Sequence, residues 1–134
     1  LKKFIAFISI ILILCSCSNS TIIFKGESQN WSSTYTVKHV NSEFHQTILK
    51  IKYKGKNLKD ISGIKYSYKG IGVGGSGELP DLSVDGVISA LSGGNGAIPP
   101  KDSVIKLMIE WNNRKEELEL IRVEQGLGKK KLKD

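Results

Sequence analysis

From Ile22 onward the apolar residues recur at every second position rather than at every third or fourth. Trp31, Ser33, Tyr35 and Val37 alternate with Ser32, Thr34, Thr36 and Lys38, and Thr47, Leu49, Ile51 and Tyr53 alternate with Ile48, Lys50, Lys52 and Lys54. Successive side chains of an extended chain point to opposite faces, so this pattern buries one face and wets the other only as a β-strand. Ile64, Tyr66 and Tyr68 repeat it before Lys69-Gly70, and a further strand is expected over Gly86 to Leu91. Ile105, Leu107, Ile109 and Trp111 share one face, Asn112-Asn113-Arg114 reads as a tight reversal, and Leu118 and Leu120 lie on the returning strand of a β-hairpin. The run Glu116 to Ile121 is rich in helix formers, so a helical ending is the competing reading there. Roughly seven short strands with glycine-rich connections predict an all-β fold, a small antiparallel immunoglobulin-like β-sandwich over residues 24–121.

The segment before the sandwich has a different logic. Lys2-Lys3, an apolar run from Phe4 to Leu14 and Cys15-Ser16-Cys17-Ser18 have the order of a secretory signal: charged region, hydrophobic region, cleavage region. Crossing the hydrocarbon takes about 20 apolar residues, and this run is shorter. Leu14-Cys15-Ser16-Cys17 resembles the lipobox of bacterial lipoproteins, with small Ser16 before Cys17 where Cys15 has bulky Leu14. The resemblance implies a signal peptide over residues 1–16, cleavage before Cys17 and a diacylglyceryl thioether on its sulfur. Acyl chains such as palmitate contribute about 0.8 kcal/mol per buried methylene, so two or more hold a protein durably at a membrane. Residues 17–23 then form a lipidated polar spacer.

Removing that signal takes Cys15 with it and leaves Cys17 as the only cysteine of the mature chain, so the domain has no disulfide to lean on. The formal net charge is +7, with a cluster at Lys129-Lys130-Lys131 and Lys133 in a basic tail over residues 122–134. A basic surface held at a membrane attracts anionic headgroups or anionic wall polymer, although a mixed Lys/Glu surface also serves solubility alone. The export signal argues against nucleic acid as a partner.

Several motifs invite chemistry. Gly72-Val73-Gly74-Gly75-Ser76-Gly77 spells a dinucleotide fingerprint, but Glu78-Leu79-Pro80-Asp81 cannot open the helix that would hold a pyrophosphate; a glycine loop or bulged sheet edge is expected instead. Asp81-Leu82-Ser83-Val84-Asp85-Gly86 matches the front of a calcium loop, whose bidentate acid would fall on Ser92, so the expectation is a turn, with calcium left open. His39 and His45 have no cysteine or acid at a ligand spacing, and no serine lies in a nucleophile elbow. No metal site, cofactor or catalytic set is expected. Glu116, Glu117 and Glu119 read as a solvated strand face. Trp31 and Trp111 read as core, whereas Tyr35, Tyr53, Tyr66 and Tyr68 could pack or line a binding surface. Ser92-Gly93-Gly94-Asn95-Gly96-Ala97 with Pro99-Pro100 forms a long loop that either connects or binds.

Phe24-Lys25-Gly26-Glu27-Ser28 leading to Trp31, Ile51-Lys52-Tyr53-Lys54-Gly55-Lys56, Gly74-Gly75-Ser76-Gly77, Ser92 to Ala97 and Ile109-Glu110-Trp111-Asn112 together resemble small uncharacterised lipoproteins of Bacillus and related Gram-positive bacteria. The resemblance spans Phe24 to about Leu120 and implies an outward-facing anchor on the cell membrane, without an activity. The leading expectation is a lipid-anchored, non-enzymatic binding or accessory module whose ligand is unknown. Its partners would be the membrane, with anionic wall polymer or an envelope protein beside it. A structural protein held electrostatically on wall polymer or headgroups is the second expectation, and an exported hydrolase the third.

Overall fold

A computed structural model describes residues 21–39, 44–94 and 98–123. The segment read as a signal peptide, Cys15, Cys17 and all of the tail beyond Val123 lie outside the described residues. Eight strands follow one another: β1 (Thr21–Glu27), β2 (Trp31–His39), β3 (His45–Tyr53), β4 (Ser62–Gly70), β5 (Val73–Asp81), β6 (Val87–Gly94), β7 (Ile105–Trp111) and β8 (Arg114–Val123). A single 3-10 turn at Leu58–Asp60 interrupts the connection from β3 to β4. The fold is all-β and antiparallel throughout. β8 is a strand to its end, because alternate residues Glu116, Leu118 and Leu120 face inward; burial period overrides helix propensity there.

The strands form one sheet in the order β5-β4-β7-β8-β1-β2-β3-β6. Laid flat at about 4.8 Å per strand, it would put β5 and β6 some 30 Å or more apart. Those strands are nonetheless joined by the chain from Asp81 to Val87, which at full stretch covers only about 20 Å. The sheet must therefore curl until its edges approach. It doubles over into a sandwich-like shell, with β1, β2, β3 and β6 as one layer and β5, β4, β7 and β8 as the other. Layers meet at a corner where β1 pairs with β8 over Ile23–Lys25 and Ile121–Val123. Gly26 stands at that corner because a Cβ there would strike the Glu119 carbonyl and Leu120, so only glycine lets the backbones close.

The core is continuous between the layers: Phe24, Tyr35, Val37, Leu49 and Ile51 from one meet Ile64, Leu107, Ile109, Leu118 and Leu120 from the other. Trp31 of β2 packs edge-on against Trp111 of β7 across the sandwich, with ring centres 5.4 Å apart. One end of the shell, the lower, carries the β1–β2 and β7–β8 turns. The β7–β8 reversal places Asn112 and Asn113 at φ of 45° and 58°, the pair of left-handed residues that a two-residue hairpin requires. The other, upper end carries the start of β1, the end of β8 and the β4–β5 turn.

Two boundaries move. Thr21 to Ile23, read as spacer, are already strand, and Arg122 and Val123, read as tail, close β8 beside them. The glycine segment from Gly74 to Gly77 belongs to strand β5 at the sheet edge rather than to a loop.

Candidate functional site

The curl leaves an open seam where edge strand β5 faces edge strand β6. Tyr66 and Tyr68 of β4 lie beneath it for a local reason. Their cross-strand partners on β5 are Gly77 and Gly75, and a Cβ on either glycine would collide with the tyrosine ring opposite. The rings therefore lie across the glycine backbone and cover a strand that has few side chains of its own. Pro80, which lacks an N–H, is tolerated in β5 because the strand is an edge.

At the upper end the seam deepens into a cleft of about 170 Å3. Its lining is Tyr35, Thr47 and Tyr68 with His45, the turn Gly72-Val73-Gly74 and the β6 end Ser92-Gly93-Gly94. Tyr35 points inward from β2 and is almost fully buried, and its ring lies 5.9 Å from that of Tyr68 in a tilted contact. Burial raises the pKa of Tyr35, and a hydrogen bond from the Thr47 side chain only partly offsets it. The Tyr68 pKa is raised as well, by burial first and then by the neighbouring phenols of Tyr35 and Tyr66. Both phenols thus stay protonated beyond the usual tyrosine range and can donate as well as accept. The lining offers hydroxyls, an imidazole and glycine backbone, a surface suited to hydrogen bonding. A longer stretch of the seam, about 400 Å3 between Leu79 and Ile88, continues toward the lower end over Tyr66.

A wider hollow of about 510 Å3 lies on the outer wall of β1, β2 and β3, flanked by Lys25, Lys50 and Lys52. It follows the saddle of the twisted sheet, and the one buried polar side chain in its lining, Ser33, already donates its hydroxyl to the Lys50 carbonyl at 2.7 Å.

The remaining candidates scatter. His39 and His45 do come together, directly opposite across β2 and β3, but no third metal-binding side chain joins them among the described residues. Asp85 is occupied by the turn into β6. Its carboxylate accepts from the Ser83 hydroxyl and, at 3.1 Å, from the Val87 N–H, while the Gly86 N–H reaches the Ser83 carbonyl at 2.9 Å with Gly86 at φ 70°. Those bonds hold its pKa below the ordinary value. No cluster of three metal-ligating side chains forms anywhere among the described residues, the Asp81–Gly86 turn included.

Glu116 corrects the solvated-face reading. It occupies an inward position at the lower end and clamps the β1–β2 turn, accepting from the Ser28 hydroxyl at 2.6 Å, the Asn30 N–H at 2.9 Å and the Asn30 side-chain amide at 2.6 Å. Partial burial pushes its pKa up, but these bonds and the charge of Arg114 outweigh that and leave it below 4.5. Glu117 and Glu119 do face solvent. Trp31 and Trp111 are core, and Tyr53 joins them by an edge contact to Trp31 at 5.1 Å.

The sequence singled out both glycine segments and the tyrosines without saying that they meet. It missed Thr47, whose only signal is a hydroxyl at an inward position of a strand otherwise lined by Leu49 and Ile51. No protein-family model, no curated protein and no solved structure matches the chain.

Proposed function

We propose that the protein is a lipid-anchored module on the outer face of the cell membrane, tethered through Cys17, that binds a small hydroxylated or anionic group without turning it over. The observation that carries the binding role is the convergence of Gly72–Gly74, Ser92–Gly94, Tyr35 and Tyr68 on one cleft. Its 170 Å3 decides the scale. Whole small-molecule sites run to about 300–1,000 Å3, so this cleft takes one moiety of a larger ligand, such as a sugar ring edge or a glycerol phosphate unit. The tether rests on the lipobox and the short apolar run.

Two experiments test this reading. Titrating the isotope-labelled domain with glycerol phosphate and with N-acetylglucosamine is expected to shift the amides of His45, Gly74 and Gly93 for at least one of them. Shifts spread over the whole surface, or none with either probe, would sink the binding role. For the tether, Cys17→Ala abolishes acyl labelling in a Gram-positive host and Cys15→Ala leaves it intact; labelling that survives Cys17→Ala overturns the anchor.

The basic outer hollow at Lys25, Lys50 and Lys52 favours a second reading, in which anionic wall polymer lies across that wall and the role is structural. Such binding weakens as salt shortens the screening length below about 10 Å. Affinity for polymer that is indifferent to salt excludes it.

A further inference from the structure

We infer that the upper end of the shell is a membrane-docking face that lies flat against anionic lipid headgroups and turns the cleft toward the bilayer. Three independent features of that end meet.

The first is exposed apolar surface. Six large apolar side chains stand exposed among the described residues, and five of them, Phe44, Ile71, Leu91, Val104 and Ile121, sit on the upper rim or the upper outer wall. Only Val84 is at the far end. Ile71 is the most telling. It occupies the tip of the β4–β5 turn, where Gly72 at φ 73° makes the reversal and polar residues are the usual choice, yet its side chain is 65% exposed. An aqueous surface gains nothing from a β-branched apolar residue at a turn tip. A headgroup region does, because such a side chain reaches the acyl boundary.

The second is charge. Lys38, Lys69, Lys101, Lys106 and Arg122 belong to the upper half, against Asp102 and Glu119. The other described acids, among them Glu27, Asp60, Asp81 and Asp85, stand nearer the lower end, where Lys52, Lys54, Lys59 and Lys65 are among about as many cations that balance them. An anionic surface therefore pulls the upper end and meets little net charge at the lower.

The third is reach. β1 starts at Thr21, paired with Lys38 at the upper end. The chain from Cys17 to Thr21 spans at most about 14 Å fully extended. A lipid on Cys17 therefore holds this end, and no other, within contact distance of the headgroups. The basic cluster at Lys129-Lys130-Lys131 follows β8, which also ends here. Only this third feature rests on the anchor proposed above.

The core runs from Phe24 to Leu120, so the chain from Ser18 onward carries all of it and can be studied without the lipid. Co-flotation of that unlipidated chain with vesicles of phosphatidylglycerol and phosphatidylcholine, against phosphatidylcholine alone, is the test. Binding to the anionic vesicles only is expected, with Ile71→Ser combined with Lys69→Glu lowering partitioning by roughly tenfold or more and Val84→Ser leaving it unchanged. A fluorophore placed at residue 71 of the lipidated protein should be quenched by lipid-borne quencher, and one placed at residue 84 should not. The inference falls if the two rim substitutions have no effect, as binding through the tail alone would give. It falls equally if Val84→Ser weakens binding as much, or if the chain ignores vesicles and its rim binds soluble poly(glycerol phosphate). Mass spectrometry showing no lipid on Cys17 would remove the anchor while leaving the vesicle result standing.

Discussion

The two ends of the shell are built from the same strands and by opposite rules. The lower end is tied shut. Trp31, Trp111 and Tyr53 interlock there, Glu116 accepts three hydrogen bonds from the β1–β2 turn, and Asn112 bonds the Asp60 carbonyl at 2.6 Å and the Ser62 N–H at 3.1 Å. The upper end keeps its tyrosine hydroxyls in an open cleft and its apolar residues on the rim. A sandwich needs to be sealed at only one end to fix its layers, and the other is then free to be shaped by something outside the core.

The contrast can be broken most forcefully at the lower end. Trp111→Ala empties a fully packed aromatic site and is expected to cost about 3–5 kcal/mol, lowering Tm in a calorimetric scan by more than about 10 °C. A loss of only a degree or two would mean that the tryptophan pair does not hold the layers.

Glu116 gives the next largest effect. Glu116→Ala removes the acceptor of three hydrogen bonds at a partly wet site, at a cost of about 1–3 kcal/mol in urea denaturation. The pH dependence is more specific. Because its folded pKa lies below 4.5, its contribution is present above that pH and is lost as the pH falls through the lowered value. Glu116→Gln should therefore flatten the acid limb of the stability curve below about pH 4.5; an unchanged limb would show that the clamp carries no net stability.

The smallest effects belong to the upper end. Tyr35→Phe and Tyr68→Phe keep the rings and lose only hydroxyls at an open cleft, so each is expected to cost under about 1 kcal/mol at neutral pH. Their folded pKa values lie above 10.0, so their contribution is complete below that pH and is lost as the pH climbs through the raised values. The double variant should lose stability less steeply than the parent in alkaline denaturation above pH 10. Equal steepness would place the phenols in water rather than in a cleft.

How much of this the sequence discloses follows from the range of each interaction. The inward faces of β2, β3, β7 and β8 can be read directly, since alternation is local. The Asn112-Asn113 reversal is equally plain. β5 is hidden because its inward positions Val73, Gly75 and Gly77 hold mostly glycine, and the apolar cover they need comes from Tyr66 and Tyr68 on the neighbouring strand. The Glu116 clamp is hidden for a related reason. An acid at an inward strand position looks like a solvated one until the turn that contains Ser28 and Asn30 is brought beside it from 86 residues away or more. The cleft joins segments of both layers, and nothing in either segment announces the other.

The corner between β1 and β8 has a consequence for the order of assembly. It is the seam on which the two layers are joined, and it unites the first strand of the domain with the last. Layer one without β8 and layer two without β1 are each a four-stranded sheet with a bare greasy face, and pairings so distant in sequence form late because the intervening chain must be confined first. A chain emerging N-terminus first thus stays uncommitted until its final strand is released. That delay is a useful property in any polypeptide that has to be threaded through a narrow pore before it folds.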